Sequence, residues 1–100
     1  MTTPGYFLAL MDINEAEGFQ KYGEAGYASM EGFQIEVLVI DDTPTLLEGQ
    51  AVGQHIVLLK FESKAKLQEW YDSEGYKVAK PFRQQSCTTH AILALEGFTG

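Results

Sequence analysis

Four runs along the chain alternate with period two and still present apolar side chains to both sides, while the stretches between them repeat apolar residues every three or four positions. From Gly5 to Asp12, GYFLALMD directs Tyr6, Leu8 and Leu10 one way and Phe7, Ala9 and Met11 the other, which predicts a strand with two buried faces. Asn14 then offers a helix N-cap, with Glu17 as the reciprocal member of a capping box and Glu15 near the positive helix end. Phe19, Tyr22, Gly26 and Met30 form the inner stripe of that helix, and Gly32 ends it. Gly23 and Gly26 weaken it by about 1 kcal/mol each relative to Ala, so they serve either a close approach to the sheet or a ligand, or are simply tolerated.

From Phe33 to Asp42, FQIEVLVIDD predicts a second strand, with Phe33, Ile35, Val37 and Val39 opposite the wetter set Gln34, Glu36, Leu38 and Ile40. Asp41, Asp42, Thr43 and Pro44 end it, and a connection carrying Glu48 and Gly49 leads to the third strand, HIVLLKF, from His55 to Phe61. There Ile56, Leu58 and Lys60 oppose Val57, Leu59 and Phe61. Phe61 to Arg83 gathers much of the aromatic bulk. Ser63 caps a helix with Leu67, Trp70 and Tyr71 on one face, and Ser73 caps a second, short helix lined by Tyr76, Ala79 and Phe82. Arg83 closes the segment with a charge that requires an acidic or solvated partner. The fourth strand runs from Thr88 to Phe98, with Ala91, Leu93 and Leu95 opposite Ile92, Ala94 and Glu96.

The order β-α-β-β-α-β is that of an α+β, ferredoxin-like plait, a four-stranded antiparallel sheet with its helices on one face. Helices on one face leave the other uncovered, although three or more strands are apolar there as well. At roughly 25 cal/mol per Å² of apolar surface, leaving that face wet forfeits many kcal/mol. A second copy, sheet against sheet about a two-fold axis, is the expected cover, giving a homodimer.

Composition narrows the partners. One hundred residues with 45% apolar and 21% charged residues suit a single globular domain over residues 1–100. The net charge of −7, with seven scattered Lys and Arg, argues against nucleic acid. No run is long enough to span a bilayer, and MTTPG lacks the basic and apolar regions of a secretory signal, so no membrane partner and a cytoplasmic location are expected. Cys87 stands alone and reads as a small buried hydrophobe.

Several pieces, in this order, are similar to the family called domain of unknown function 1330, within the dimeric α/β-barrel superfamily. They are Gly5-Tyr6, Asp12 before a helix with Tyr22, Gly32, Leu47-Glu48-Gly49, Phe61-Glu62-Ser63, Trp70-Tyr71-Asp72-Ser73 with Tyr76, Pro81 with Arg83, and Glu96-Gly97. The chain departs from the family at Ser73-Glu74-Gly75-Tyr76, where similar proteins read Ser-Pro-Glu-Tyr. The resemblance implies a plait whose two copies join their sheets into a barrel. Relatives in the superfamily include cofactor-free monooxygenases, haem-degrading monooxygenases, lactone isomerases and plain ligand binders, so it implies no single activity.

The expected site is an apolar cleft between helices and sheet, walled by Tyr22, Trp70, Tyr71 and Tyr76, charged by Glu48 and Arg83, with His55 and Ser73 as further polar groups. Each has a plainer role. Trp70 at helical spacing from Leu67 suits the core, and Arg83 with Glu48 suits a structural ion pair. His55 and His90 have no carboxylate or second His at ligand spacing, so no metal is expected. No phosphate loop or nucleophile elbow is present, and no cofactor is expected; haem could be held only by His55 or His90. Two functions remain. One is a cofactor-free monooxygenase- or isomerase-like enzyme acting on a small apolar or aromatic molecule, with Glu48, His55 or a Tyr as acid or base beside Arg83. The other is a non-catalytic, ligand-binding or stress-related dimer.

Overall fold

A computed structural model describes residues 3–99; Met1, Thr2 and Gly100, and with them the start of the MTTPG segment, lie outside the described residues. Seven elements follow one another: β1 (Gly5–Ile13), α1 (Ala16–Ser29), β2 (Ile35–Asp41), β3 (His55–Phe61), α2 (Lys64–Tyr71), α3 (Glu74–Ser86) and β4 (Cys87–Glu96). The strands form one antiparallel sheet in the order β2-β3-β1-β4. This is the expected ferredoxin-like plait. Among the described residues no helix is long and apolar enough to cross a membrane.

Period-two alternation holds in β1. Phe7, Ala9 and Met11 are buried beneath the helices with Leu59 and Phe61 of β3, whereas Tyr6, Leu8 and Leu10 on the outer face remain half-buried. Register puts Leu8 between Leu58 and Leu93, so an apolar strip crosses the outer face, flanked by exposed Val39 and Leu95. In β2 the simple alternation fails. The register shifts between Val37 and Val39, a bulge at Leu38. Val37 and Ile40 thereby come to the helix side, opposite Leu59 and Val57, and Val39 turns outward opposite Leu58. A second shift, between Leu10 and Met11 against β4, sets His90 out of register, and its Nε2 meets Asp12 Oδ2 at 2.7 Å. β4 begins at Cys87, which is buried, and ends at Glu96.

The helix starts follow side-chain capping, with one correction. Ser63 Oγ accepts from Lys66 N and Ser73 Oγ from Tyr76 N, as expected. The cap of α1 is Glu15, whose Oε1 accepts from Gly18 N at 3.2 Å. Asn14 stands one residue earlier, its amide nitrogen donating to Thr88 Oγ1 and its backbone N–H, like that of Glu15, donating to Ser86 O. The second helix of the aromatic stretch is not short. α3 continues through Pro81 to Ser86, its buried stripe being Tyr76, Ala79, Arg83 and Ser86 while Phe82 is only half-buried. Burial at steps of three and four residues outweighs the roughly 3 kcal/mol a mid-helix proline costs.

α1 lies mainly against α3 rather than on the sheet. The pair closes at both ends on small residues: a Cβ at Gly18 would stand 2.9 Å from Ser86 Cβ, and one at Gly75 would stand 3.1 Å from Ser29 Cα. Gly75, where the family pattern differs, is thus the close approach between these helices.

Candidate functional site

Trp70 fixes one wall of the helix side. Its ring is 1% exposed, edge-on to Phe7 at 5.3 Å and tilted against Tyr76 at 4.4 Å, and its Nε1 donates to Ser29 Oγ of α1 at 3.0 Å. That is core packing with the polar edge satisfied, the plainer of the two readings from spacing. Beyond Trp70, towards β2, the layer is hollow. A cavity of about 270 Å³ lies between α1 and the strands β1, β3 and β2, walled by Phe19, Tyr22, Trp70, Tyr76, His55 and Met11, with Val37, Ile40 and Tyr27 at its exposed side.

Gly23 and Gly26 of α1 line this space, and a Cβ at either would meet nothing within 4 Å. They therefore mark absent side chains rather than a close approach. The bulge at Leu38 supplies the opposite wall by turning Ile40 inward; without it, strict alternation would have pointed Ile40 away.

His55 is the titratable group at the cavity's edge, 5% exposed at the start of β3. Its Nδ1 meets Asp42 Oδ1 across the β2–β3 connection, and its ring stands edge-on to Phe19 with centroids 5.0 Å apart. Nε2 makes no hydrogen bond among the described residues and is not sealed from space a water can reach. The connection is tied down beside it: Gln54 N donates to Asp12 Oδ1 at 2.9 Å. Gly53, at φ +117°, passes so close to Met11 that a Cβ would lie 2.7 Å from its carbonyl oxygen, so only glycine fits.

A second polar group is the phenol pair. Tyr22 and Tyr76 hydroxyls are 2.8 Å apart, and behind them lies Arg83, 4% exposed. Nη1 of Arg83 donates to Thr89 Oγ1 at 2.8 Å, and Nε has no partner among the described residues. The expected ion pair with Glu48 is absent: no carboxylate pairs with Arg83 among the described residues, and Glu48 is exposed on the connection. Burial works against the guanidinium's charge, but interaction with the phenols of Tyr76, Tyr22 and Tyr71 leaves its pKa above the ordinary value. Burial, then the charge and hydrogen bond of Tyr76, push the Tyr22 phenol well up against the opposing pull of Arg83.

Of the eight residues named from sequence, Tyr22, His55, Trp70 and Tyr76 line the cavity, with Arg83 behind them. Tyr71 lies on the far side of the core, 6.4 Å from Phe7 by ring centroids and with Lys80 Nζ 4.4 Å over its ring. Ser73 is occupied as the α3 cap, its hydroxyl also donating to Trp70 O. Asp42 was missed as the partner of His55. Thirteen residues separate them in sequence, and only closure of the hairpin joins them. No group of three His, Cys, Asp or Glu forms a metal site among the described residues.

Comparison with known proteins follows the fold. The model of the family described as Domain of unknown function (DUF1330) matches residues 4–98. RPA0582, a protein of unknown function from Rhodopseudomonas palustris, superposes with a TM-score of 0.75 at 18% identity, over 100% of this chain and 86% of that one. HapK from Hahella chejuensis gives 0.63 at 12% identity, over 96% and 94% of the two chains. A hypothetical protein from Arabidopsis thaliana gives 0.62 at 13%, over 99% and 88%. No curated protein matches significantly. At such identities these structures bear on the fold alone.

Proposed function

The chain belongs to the DUF1330 family, and from that premise we propose that it works as a homodimer that binds a small apolar or aromatic molecule between α1 and the sheet and acts on it without a cofactor. The observation that carries this reading is one oriented imidazole at the edge of an otherwise apolar cavity. Asp42 holds His55 through Nδ1 and leaves Nε2 without a hydrogen bond among the described residues, the arrangement a general acid or base requires. About 270 Å³ lies just below the ~300–1,000 Å³ of most ligand sites and above the ~150 Å³ that takes up benzene.

The homodimer part rests on the outer face. Leu8, Leu10, Leu58 and Leu93 form an apolar field that no element of the chain covers, and a second copy would cover it with the same field. Sedimentation at micromolar concentration is expected to give twice the chain mass, and Leu93→Lys to give a monomer. A wild-type monomer would end the dimer part.

The test of the cavity part is thermal stabilisation by naphthalene and related small arenes, expected in the wild type and abolished by Gly23→Leu, which fills the space. Arenes that stabilise both proteins equally would place binding elsewhere. A plain ligand carrier is the second reading, supported by the Tyr22 and Tyr76 hydroxyls being bonded to each other; its mark is arene binding that His55→Gln leaves unchanged, with no turnover of any bound molecule.

A further inference from the structure

The polar groups of the cavity fall at two places, and their order suggests more than a single base. Arg83 carries its charge behind Tyr76, with Nη1 committed to Thr89. Either hydroxyl can donate across the 2.8 Å between Tyr22 and Tyr76; a cation beside a phenol favours the arrangement that turns the Tyr76 proton away from it, towards the Tyr22 oxygen. Tyr22 then accepts from Tyr76 and keeps its own proton to donate. On the other side, Asp42 accepts from His55 Nδ1, which leaves Nε2 with its lone pair. Phe19 touches both ends, 5.0 Å from the His55 ring and 5.9 Å from the Tyr22 ring by centroids. His55 and Tyr22 both line the cavity, one able to accept a proton and the other to donate a hydrogen bond.

We propose that this cavity takes a small aromatic or alicyclic ketone with an acidic C–H beside its carbonyl, and that His55 and Tyr22 interconvert the ketone with its enolate. The assignment rests on the cavity being the working site, as proposed above. His55 Nε2 takes the proton from the α-carbon; the C–H pair becomes the C=C bond, and the carbonyl π pair moves to oxygen. That oxygen is held by the Tyr22 O–H, whose donor strength is raised by the chain of Tyr76 and Arg83 behind it. The proton then returns from His55 to the same carbon or, in a conjugated substrate, to a more distant one, which is an isomerisation. No electrons are gained or lost, so no oxidant or cofactor is required. A phenol is protonated at neutral pH, as a donor must be, and burial pushes Tyr22 further in that direction. Asp42, with its side chain 72% exposed, is a positioning residue that fixes the imidazole orientation more than it stabilises charge.

The probes are 2-tetralone, an enolisable benzo-fused cyclic ketone; 2-naphthol, which matches its enol in shape; and naphthalene, which lacks the oxygen. In D2O, wild-type protein is expected to exchange the C1 protons of 2-tetralone, followed by proton NMR, well above the rate with an equal concentration of free imidazole. His55→Gln, which can still bond Asp42, should lower the exchange rate by about 100-fold or more, and Tyr22→Phe by about 100-fold. 2-Naphthol should bind about 10-fold more tightly than naphthalene, read by Trp70 fluorescence, and that preference should disappear in Tyr22→Phe while naphthalene still binds. Equal binding of the two arenes with no exchange above the imidazole control would overturn this assignment and leave the apolar cavity reading standing. No binding of either would remove both.

Discussion

The two halves of the helix-covered face are built from similar residues and differ in how well they are filled. On the side of α2, α3, β1 and β4, Phe7, Tyr76 and, from the end of β3, Phe61 each pack a ring on Trp70, and all four are no more than 2% exposed. On the side of α1, β2 and β3, Phe19 and Tyr22 are half-buried, Val37 is 51% and Ile40 62% exposed, and the layer is open. The cause is local. α1 leans on α3 through Gly18 and Gly75, where helices touch, and carries Gly23 and Gly26 over the sheet, where side chains would otherwise fill the gap. The same residue type closes one contact and opens another, and the chemistry-bearing groups border the opening.

The contrast can be broken by mutation. Trp70→Ala in the filled half should cost about 3–5 kcal/mol in urea unfolding, whereas Phe19→Ala in the hollow half should cost about 1–3 kcal/mol. Equal losses would mean that the two halves are equally filled. Among the described residues Arg83 has no carboxylate to strand, so Arg83→Met, of similar length, should change stability by less than about 1.5 kcal/mol. A loss of about 3 kcal/mol or more by the same measurement would reveal an ion pair in solution.

Glycine substitutions sharpen the comparison further. Gly26→Ala is expected to raise stability by about 0.5–1 kcal/mol, because its new Cβ meets open space and the unfolded chain loses freedom. Gly75→Ala should lower it, because its Cβ would press on Ser29. Thermal unfolding of both, with the same sign, would contradict this account of how α1 is seated.

The smallest effect is on the outer face. The hydrogen bond from His90, opposed by burial and aided by Gln54 N–H, holds the Asp12 carboxyl below its ordinary 3.8. A carboxyl lowered in the folded state stabilises fully above that value and loses its contribution as pH falls through the folded value. Asp12→Asn should therefore flatten the fall in Tm below about pH 4; an acid limb parallel to the wild type would show the pair to be inconsequential.

Element order, the β1 alternation, the Ser63 and Ser73 caps and the aromatic core around Trp70 follow from local pattern, because period and capping chemistry act over a few residues and need no distant partner. The cap at Glu15 was not legible, since Asn14 beside it is held by Thr88 and Ser86 at the far end of the chain. Nor was the bulge at Leu38, which depends on pairing with β3 and decides which of Val39 and Ile40 faces the cavity. The aromatic and histidine members of the site could be named from their residue types. That Arg83 stands behind phenols and not beside Glu48, and that Asp42 meets His55, depends on where a hairpin and two helices come to rest. Such contacts are fixed by the closing of long loops and by the volumes left between packed elements, quantities that belong to the assembled layers and not to any stretch of sequence.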